Sequence, residues 1–243
     1  MKLRFADEHD ASACLAIYAQ YIDTSITFET ALPSEAEFAG RIRSYGAVYP
    51  WLVAEEDGKI LAYAYAHRAQ ERAAYDWNAE LSVYVSKDAA GMGLGTKLYR
   101  ALLDLLRKQG VRTAYGVVTM PNDASAALHR KLGFQLLGTY HNTGYKNGRW
   151  RDVVWFEKHI GSFDGVPEPL CPIGQIADCE AVLQPYGSAG LADFVHSTLY
   201  IWEHAAPSPP PFAAANDASP YRAERGKGRL LWDCGEFVLP CNF

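Results

Sequence analysis

The chain has 243 residues, 49% of them hydrophobic and 21% charged, enough to bury a sizeable core without disulfide or metal staples. A formal net charge of −5 excludes a broad basic surface for nucleic acid, and the ordinary composition excludes a disordered or fibrous chain. No stretch reaches the roughly 18 continuous apolar residues of a membrane span. The start, MKLRFADEHD, turns acidic at once and has no apolar signal core, so a cytoplasmic protein without membrane attachment is expected. The five cysteines, Cys14, Cys171, Cys179, Cys234 and Cys241, are odd in number and contain no CxxC pair. That is the usage of reduced, unrelated thiols, and no metal is expected.

Along the chain, Cys14, Leu15, Ile17, Tyr18 and Tyr21 keep a helical period after Asp10, which is a suitable cap. Ser34 and Glu37 form a capping-box pattern for a second helix. Trp51–Ala54 and Ile60–Ala66 read as strands joined by an Asp57-Gly58 turn, hence antiparallel neighbours. After an irregular segment, 70–78, residues 79–86 alternate apolar and polar as a strand with one buried face. The loop GMGLG, 91–95, runs into a strongly amphipathic helix that stops at Gln109-Gly110. A strand over 114–120, a helix over 124–132 that begins at Pro121-Asn122-Asp123, and strands over 134–138 and 151–158 complete the set. Hairpins at both ends and one strand–loop–helix–strand crossover between them imply an α/β or α+β sheet.

Composition changes beyond Gly161. Residues 161–176 are Pro-rich and aperiodic, like a strap laid across a surface. The last 67 residues, 177–243, show no clear helix or strand series, contain the run Pro207, Pro209, Pro210 and Pro211, and carry four basic against eight acidic side chains. They read as an appended, mostly flexible extension. The alternative is a small second domain using Trp202, Trp232 and Phe237.

The glycine loop is the first chemical pointer. Gly91, Gly93 and Gly95 lie between a strand and a helix N-terminus, where glycine permits positive φ and backbone amides approach an anion in the positive end of the helix dipole. No Lys-Ser or Lys-Thr follows, so this is not a Walker loop, and the spacing is not GxGxxG. Together with the strand SVYV and with Asn122 ahead of a helix ending in HRKLGF, the loop resembles the GNAT acetyltransferase superfamily. Within it the chain is similar to phosphinothricin N-acetyltransferases and the methionine sulfone/sulfoximine acetyltransferases. The segments YIDTS (21–25), AYDWNAELSVYVS (74–86), GLGTKLY (93–99), PNDAS (121–125), GYKNGRWRDV (144–153) and PEPLCPIGQI (167–176) carry the likeness. It covers residues 1–176 and leaves 177–243 unexplained.

The resemblance implies the GNAT fold, a mixed and mostly antiparallel central sheet flanked by helices, with acetyl-CoA as co-substrate. It places the pantetheine arm and thioester on strand-edge groups of Val83, Tyr84 and Val85. The pyrophosphate falls on Gly91, Met92, Gly93, Leu94, Gly95 and Thr96, and Asn122 on the pantetheine side. Ala90 stands where the superfamily loop usually begins with Gln or Arg, which implies weaker coenzyme binding. Glu80 matches the family's base, acting directly or through water on an amine that must lose a proton before attack. His129 would protonate the leaving sulfur or help bind the acceptor. Arg72, Tyr75 and Phe28 match acceptor positions, with Lys146 and Trp150 as further candidates. An arginine there would take a carboxylate or phosphinate through two parallel hydrogen bonds. Gln70 replaces a lysine of the phosphinothricin enzymes, which leaves the exact acceptor open.

The resulting expectation is an N-acetyltransferase for a small amino-acid analogue such as phosphinothricin, methionine sulfoximine or methionine sulfone, acting by direct attack in a ternary complex. The alternatives are a GNAT enzyme for another small amine or antibiotic, or a degenerate acyl-CoA-binding regulatory protein. The family also implies a homodimer, with GYKNGRW and the strap near its interface.

Overall fold

A computed structural model describes residues 1–187. Among them seven strands form one sheet: β1 (Lys2–Phe5), β2 (Trp51–Glu56), β3 (Lys59–Arg68), β4 (Asn78–Val85), β5 (Thr113–Thr119), β6 (Gln135–Lys146) and β7 (Arg149–His159). Their spatial order is β1-β2-β3-β4-β5-β7-β6. Every neighbouring pair is antiparallel except β4 and β5. Helices α1 (Ala11–Ala19) and α2 (Glu35–Gly46) cover one face, and α3 (Leu94–Gln109) and α4 (Asp123–Lys131) cover the other.

The expected local signals recur here with their physical causes. Ser34 and Glu37 form the capping box of α2. Asp57 and Gly58 both adopt positive φ, as a two-residue hairpin turn with right-handed strand twist requires. Gly110, at φ 93°, closes α3, and the Val111 amide reaches back to the Leu106 carbonyl. The apolar stripe of α3, with Leu98, Leu102, Leu105 and Leu106 fully buried, packs on the sheet opposite Leu52, Ala62 and Ala64. Burying such a side chain is worth about 1.5–3 kcal/mol.

Four features depart from the expectation. Strand β1 was not anticipated, because its four residues are too few to show a period. Asp10 precedes α1 but makes no side-chain cap; its carboxylate instead accepts two hydrogen bonds from Arg4 and one from the Asp7 amide. Strands β6 and β7 run on to a turn at Asn147-Gly148, well past the expected 134–138 and 151–158. A register jump between Tyr140 and Gly144 hides this extension, and exposed aromatics on an edge strand do not alternate with polar residues. Finally, Cys179–Tyr186, inside the segment expected to lack elements, forms a 3-10 helix. It packs against α3 and β1 and buries Leu183 and Tyr186. The rest of the proposed extension, 188–243, lies outside the described residues.

The strap at 161–176 crosses the core as expected. The Gln109 side-chain amide donates to the carbonyls of Val48 and Cys171, and the Ile173 amide donates to Val48. Trp77 Nε1 donates to the Glu168 carbonyl at 2.8 Å. Because α3 is the hub of this face, Leu102→Ala is expected to lower stability by about 3 kcal/mol in urea denaturation, with an unchanged dependence on denaturant concentration.

Candidate active site

The parallel pairing of β4 with β5 has only three rungs, Asn78 with Thr113, Ala79 with Ala114, and Glu80 with Tyr115. Beyond Glu80, β4 stays paired to β3 and β5 stays paired to β7, so the sheet opens between them. On β5 the next residue is Gly116. A Cβ there would stand 2.0 Å from His129 Nε2, so only glycine lets α4 come this close to the strand.

Into the opening faces one row of β4 backbone. The Ser86 amide donates to Leu61 of β3, so by the alternation of a strand the even residues turn their backbone to β3 and the odd residues turn theirs to the gap. Two tyrosines mark the odd row: Tyr99 Oη donates to the Leu81 carbonyl at 3.0 Å, and Tyr21 Oη to the Val85 carbonyl at 2.5 Å. Val83 lies between them with its amide and carbonyl turned to the same gap. An extended ligand with alternating amides would add here as a substitute strand.

The opening widens into a cleft of about 500 Å³, lined by Leu81–Val85, the glycine loop, the first turn of α3, and Asn122, Ser125, Leu128 and His129 of α4. Gly91 and Gly93 have φ of 83° and 75°, a conformation costly for any residue with a Cβ. Gly93 caps α3 without a side chain, which leaves the first-turn amides aimed at the cleft mouth where the helix dipole is positive. A Cβ on Gly95 would make ordinary van der Waals contact with Leu128, Val83 and Val85, so α3, α4 and β4 meet closely at this position. Asn122 caps α4 by accepting from the Ser125 amide at 3.2 Å. Its side-chain NH₂ remains a donor within the cleft wall.

Of the residues expected to hold acetyl-CoA, Val83, Tyr84, Val85, Gly91, Gly93, Leu94, Gly95, Thr96 and Asn122 line this cleft, whereas Met92 points into solvent. Tyr84 does so by its side chain, because its backbone is in register with Tyr63 of β3. Tyr21 also lines the cleft. It stands in the YIDTS segment, but no period or motif marks it as part of a site, since its role depends on a carbonyl 64 residues away.

The opposite face of β4 carries Glu80 and Tyr84. Tyr84 belongs to an aromatic slab with Tyr18, Tyr63, Tyr65 and Trp51. Glu80, 23% exposed, lies on the last rung of the β4–β5 ladder, with His67 Nε2 3.8 Å from its Oε1. Burial raises the pKa of the Glu80 carboxyl, and the His67 imidazole opposes that rise.

His129 is 1% exposed, stacked on Phe156 and edge-on to Tyr99 and Phe134. Its Nδ1 donates to the Ser125 carbonyl at 2.8 Å, which leaves Nε2 as an acceptor without a partner. Burial lowers its pKa against the raising effect of that hydrogen bond. The ring is therefore a neutral imidazole at physiological pH, poorly suited to protonating a leaving thiolate.

The structure does not gather the expected acceptor residues into the cleft. Arg72 and Tyr75 stand on an exposed turn between β3 and β4. Phe28 packs its ring where a Cβ of Gly144 would be. Lys146 Nζ is buried and donates to the carbonyls of Ile22 and Thr27, both at 2.7 Å. These contacts tie the loop after α1 to β6, and that loop brings Ile26 to the cleft. Trp150 is 61% exposed against Tyr145. Among the described residues no cluster of His, Cys, Asp and Glu is arranged to hold a metal ion, and no helix is long and apolar enough to cross a membrane.

Residues 3–155 match the family model described as an acetyltransferase (GNAT) domain. The chain belongs to the GNAT acetyltransferase family. It is 37% identical over 177 residues to the phosphinothricin N-acetyltransferase of Streptomyces viridochromogenes, covering 72% of this chain and 96% of that protein. It is 33% identical over 171 residues to the L-methionine sulfoximine/L-methionine sulfone acetyltransferase of Pseudomonas paraeruginosa, covering 68% and 98%. A GNAT superfamily phosphinothricin acetyltransferase from Sinorhizobium meliloti, solved with acetyl-CoA, superposes with a TM-score of 0.66 at 35% identity, covering 68% of this chain and 92% of that one. As expected of a GNAT protein, the sheet opens between its central parallel strands next to a glycine-capped helix.

Because α4 approaches β5 only where a Cβ is missing, Gly116→Ala is expected to displace the His129 ring. It should cost about 1–3 kcal/mol and weaken acetyl-CoA binding together with stability, read as melting temperature with and without acetyl-CoA.

Proposed function

We propose that this chain transfers the acetyl group of acetyl-CoA to the free amine of a small amino-acid analogue, such as phosphinothricin, methionine sulfoximine or methionine sulfone. The observation that carries the reading is a half-buried Glu80 on the last paired rung of β4, beside an opening whose free backbone row and helix N-terminus suit a pantetheine arm and a pyrophosphate. The names of the relatives supply the acceptor class.

Each part of the chain then has a task. The Val83 amide and carbonyl hold the arm in strand register and polarise the acyl oxygen. The α3 first-turn amides take the pyrophosphate without help from a side chain at Ala90. Bound acetyl-CoA supplies an activated acyl carbon with a good leaving group, so no covalent enzyme intermediate is needed. The acceptor arrives as an ammonium, and Glu80 takes its proton directly or through water. A raised pKa makes the Glu80 carboxylate a stronger base than an ordinary one. His129, neutral and enclosed, serves to hold α4 against β5 rather than to donate a proton. Arg72, Tyr75 and Phe28 are retained as proposed acceptor contacts.

We further propose that the protein works as a cytoplasmic homodimer and that residues 1–176 are the acetyltransferase domain, to which residues 177–243 are an appended extension. Leu136, Leu137, Tyr140, Tyr145 and Trp150 expose large apolar surface on the β6–β7 hairpin, more than a monomer usually leaves uncovered in one place.

Release of free thiol from acetyl-CoA across a panel of amino-acid analogues tests the activity. Tight acetyl-CoA binding without release for any amine would overturn it. Glu80→Gln is expected to lower kcat about 10²–10⁴-fold with acetyl-CoA affinity retained. Since Glu80 must be ionised to act and its pKa is raised, activity should fall on acidification at a pH above the ordinary 4.5 of a glutamate, as read from a pH–rate profile. Light scattering should give twice the chain mass, and Trp150→Glu should return it to the monomer value.

A further inference from the structure

His67 is not accounted for by the activity proposed above. It lies on β3 in register with Glu80 of β4, and its ring is stacked on Tyr45 of α2 at 5.3 Å and tilted against Tyr65 at 5.9 Å. These contacts leave it a quarter exposed. Nδ1 lies 2.9 Å from the Arg68 carbonyl. A carbonyl only accepts, so Nδ1 carries a hydrogen and donates it. In the neutral ring the lone pair therefore sits on Nε2, the atom that faces Glu80 Oε1 at 3.8 Å. Two acceptors turned toward one another in a half-buried place are repelled unless a proton lies between them. The separation is about 1 Å longer than a direct hydrogen bond, a distance that side-chain rotation closes.

We propose that His67 and Glu80 share one proton and that His67 is the positioning residue and proton exit for the base. The inference rests on Glu80 being that base. At the start of a turnover the shared proton leaves His67 Nε2 for water at the exposed edge of the ring. The acceptor ammonium then gives its proton to the Glu80 carboxylate, leaving a neutral amine. The proton then passes from the Glu80 carboxyl to His67 Nε2, restoring the carboxylate and forming an imidazolium whose Nδ1–H stays on the Arg68 carbonyl. The pair again holds one proton and one has gone to water, so charge and atoms balance over one turnover. An imidazole suits this task because one ring nitrogen can take or give up a proton while the other keeps its hydrogen bond.

The other groups around the pair do not offer the same service. Tyr45 and Tyr65 flank the ring as phenols. Tyr115 of β5 stands in register with Glu80, and Glu157 of β7 stands in register with Tyr115. Tyr99 of α3 approaches from the other face. Burial raises the pKa of Tyr65, Tyr99 and Tyr115, so all three stay protonated. Of the nearby cations, Arg68 pairs with Asp76 and Arg41 with Glu29.

The test is the pH dependence of kcat/KM, by thiol release from acetyl-CoA, for the full-length wild type, His67→Phe, His67→Gln and Glu80→Gln. Phenylalanine keeps the stack on Tyr45 and removes both nitrogens, and glutamine keeps polarity if the larger apolar ring disturbs folding. Losing a cationic partner within 4 Å should move the acidic limb upward by about 1 pH unit. Acetyl-CoA affinity should stay within about twofold, because His67 does not line the cleft. An acidic limb that does not move in either His67 variant, while Glu80→Gln is inactive, overturns the role of His67 and leaves the base in place. Full turnover in Glu80→Gln overturns the base itself, and the proton exit with it.

Discussion

The interrupted pairing of β4 and β5 is the constraint on which the rest of the structure depends. A parallel pair that stayed in register would satisfy the backbone of both strands and close the sheet. Here the ladder ends after Glu80, and each strand keeps its outer partner, so the opening costs no pairing elsewhere. The Leu81 and Val85 carbonyls that would otherwise face an empty gap are taken by Tyr99 and Tyr21, from helix α3 and from the turn just after α1. What remains between them is a short row of backbone at Val83, presented to an incoming chain-like ligand. The same break leaves Glu80 on the last rung before the opening, where it is partly desolvated.

Several packing details exist to hold that opening. Gly116 admits the His129 ring, so α4 and β5 meet at a distance that a side chain would forbid. His129 is surrounded by Tyr99, Phe134 and Phe156, and its lowered pKa keeps a charge out of this wall. On the other face, Lys146 reaches from β6 to the carbonyls of Ile22 and Thr27. A buried ammonium satisfied by two carbonyls is a costly clamp, and it holds the loop after α1 across the face where Glu80 stands.

Electrostatics divides in the same way. The pyrophosphate side relies on the fixed dipole of α3 and on glycine-freed amides, which are insensitive to pH. The proposed base side relies on Glu80, whose carboxyl pKa is raised by burial against the opposing effect of the His67 imidazole. A chain with Ala90 in its loop can lose a side-chain contact to the coenzyme and keep its chemistry, because the amides carry the first task and the carboxylate carries the second.

How much of this was legible in the sequence followed the range of the interaction. Capping boxes, the Asp57-Gly58 hairpin, the glycine-capped α3 and the strap are encoded by residues near one another in the chain, and they were readable from period and turn chemistry. So were the family and the cleft-lining residues, whose motifs are contiguous. Features that depend on distant partners were not: strand β1, the long β6–β7 hairpin behind its register jump, and the 3-10 helix that buries Leu183 and Tyr186. The same holds for the acceptor residues, since Arg72 and Phe28 have suitable chemistry but only the packing of loops decides which surfaces they reach. The amino-acid sequence alone determined the element order, the acetyltransferase motifs and the presence of a carboxylate on the strand before the glycine loop. Only the tertiary structure decided where the β4–β5 ladder stops, that His129 is enclosed and neutral, and that His67 faces Glu80, because each of these depends on strand register and helix approach across tens of residues.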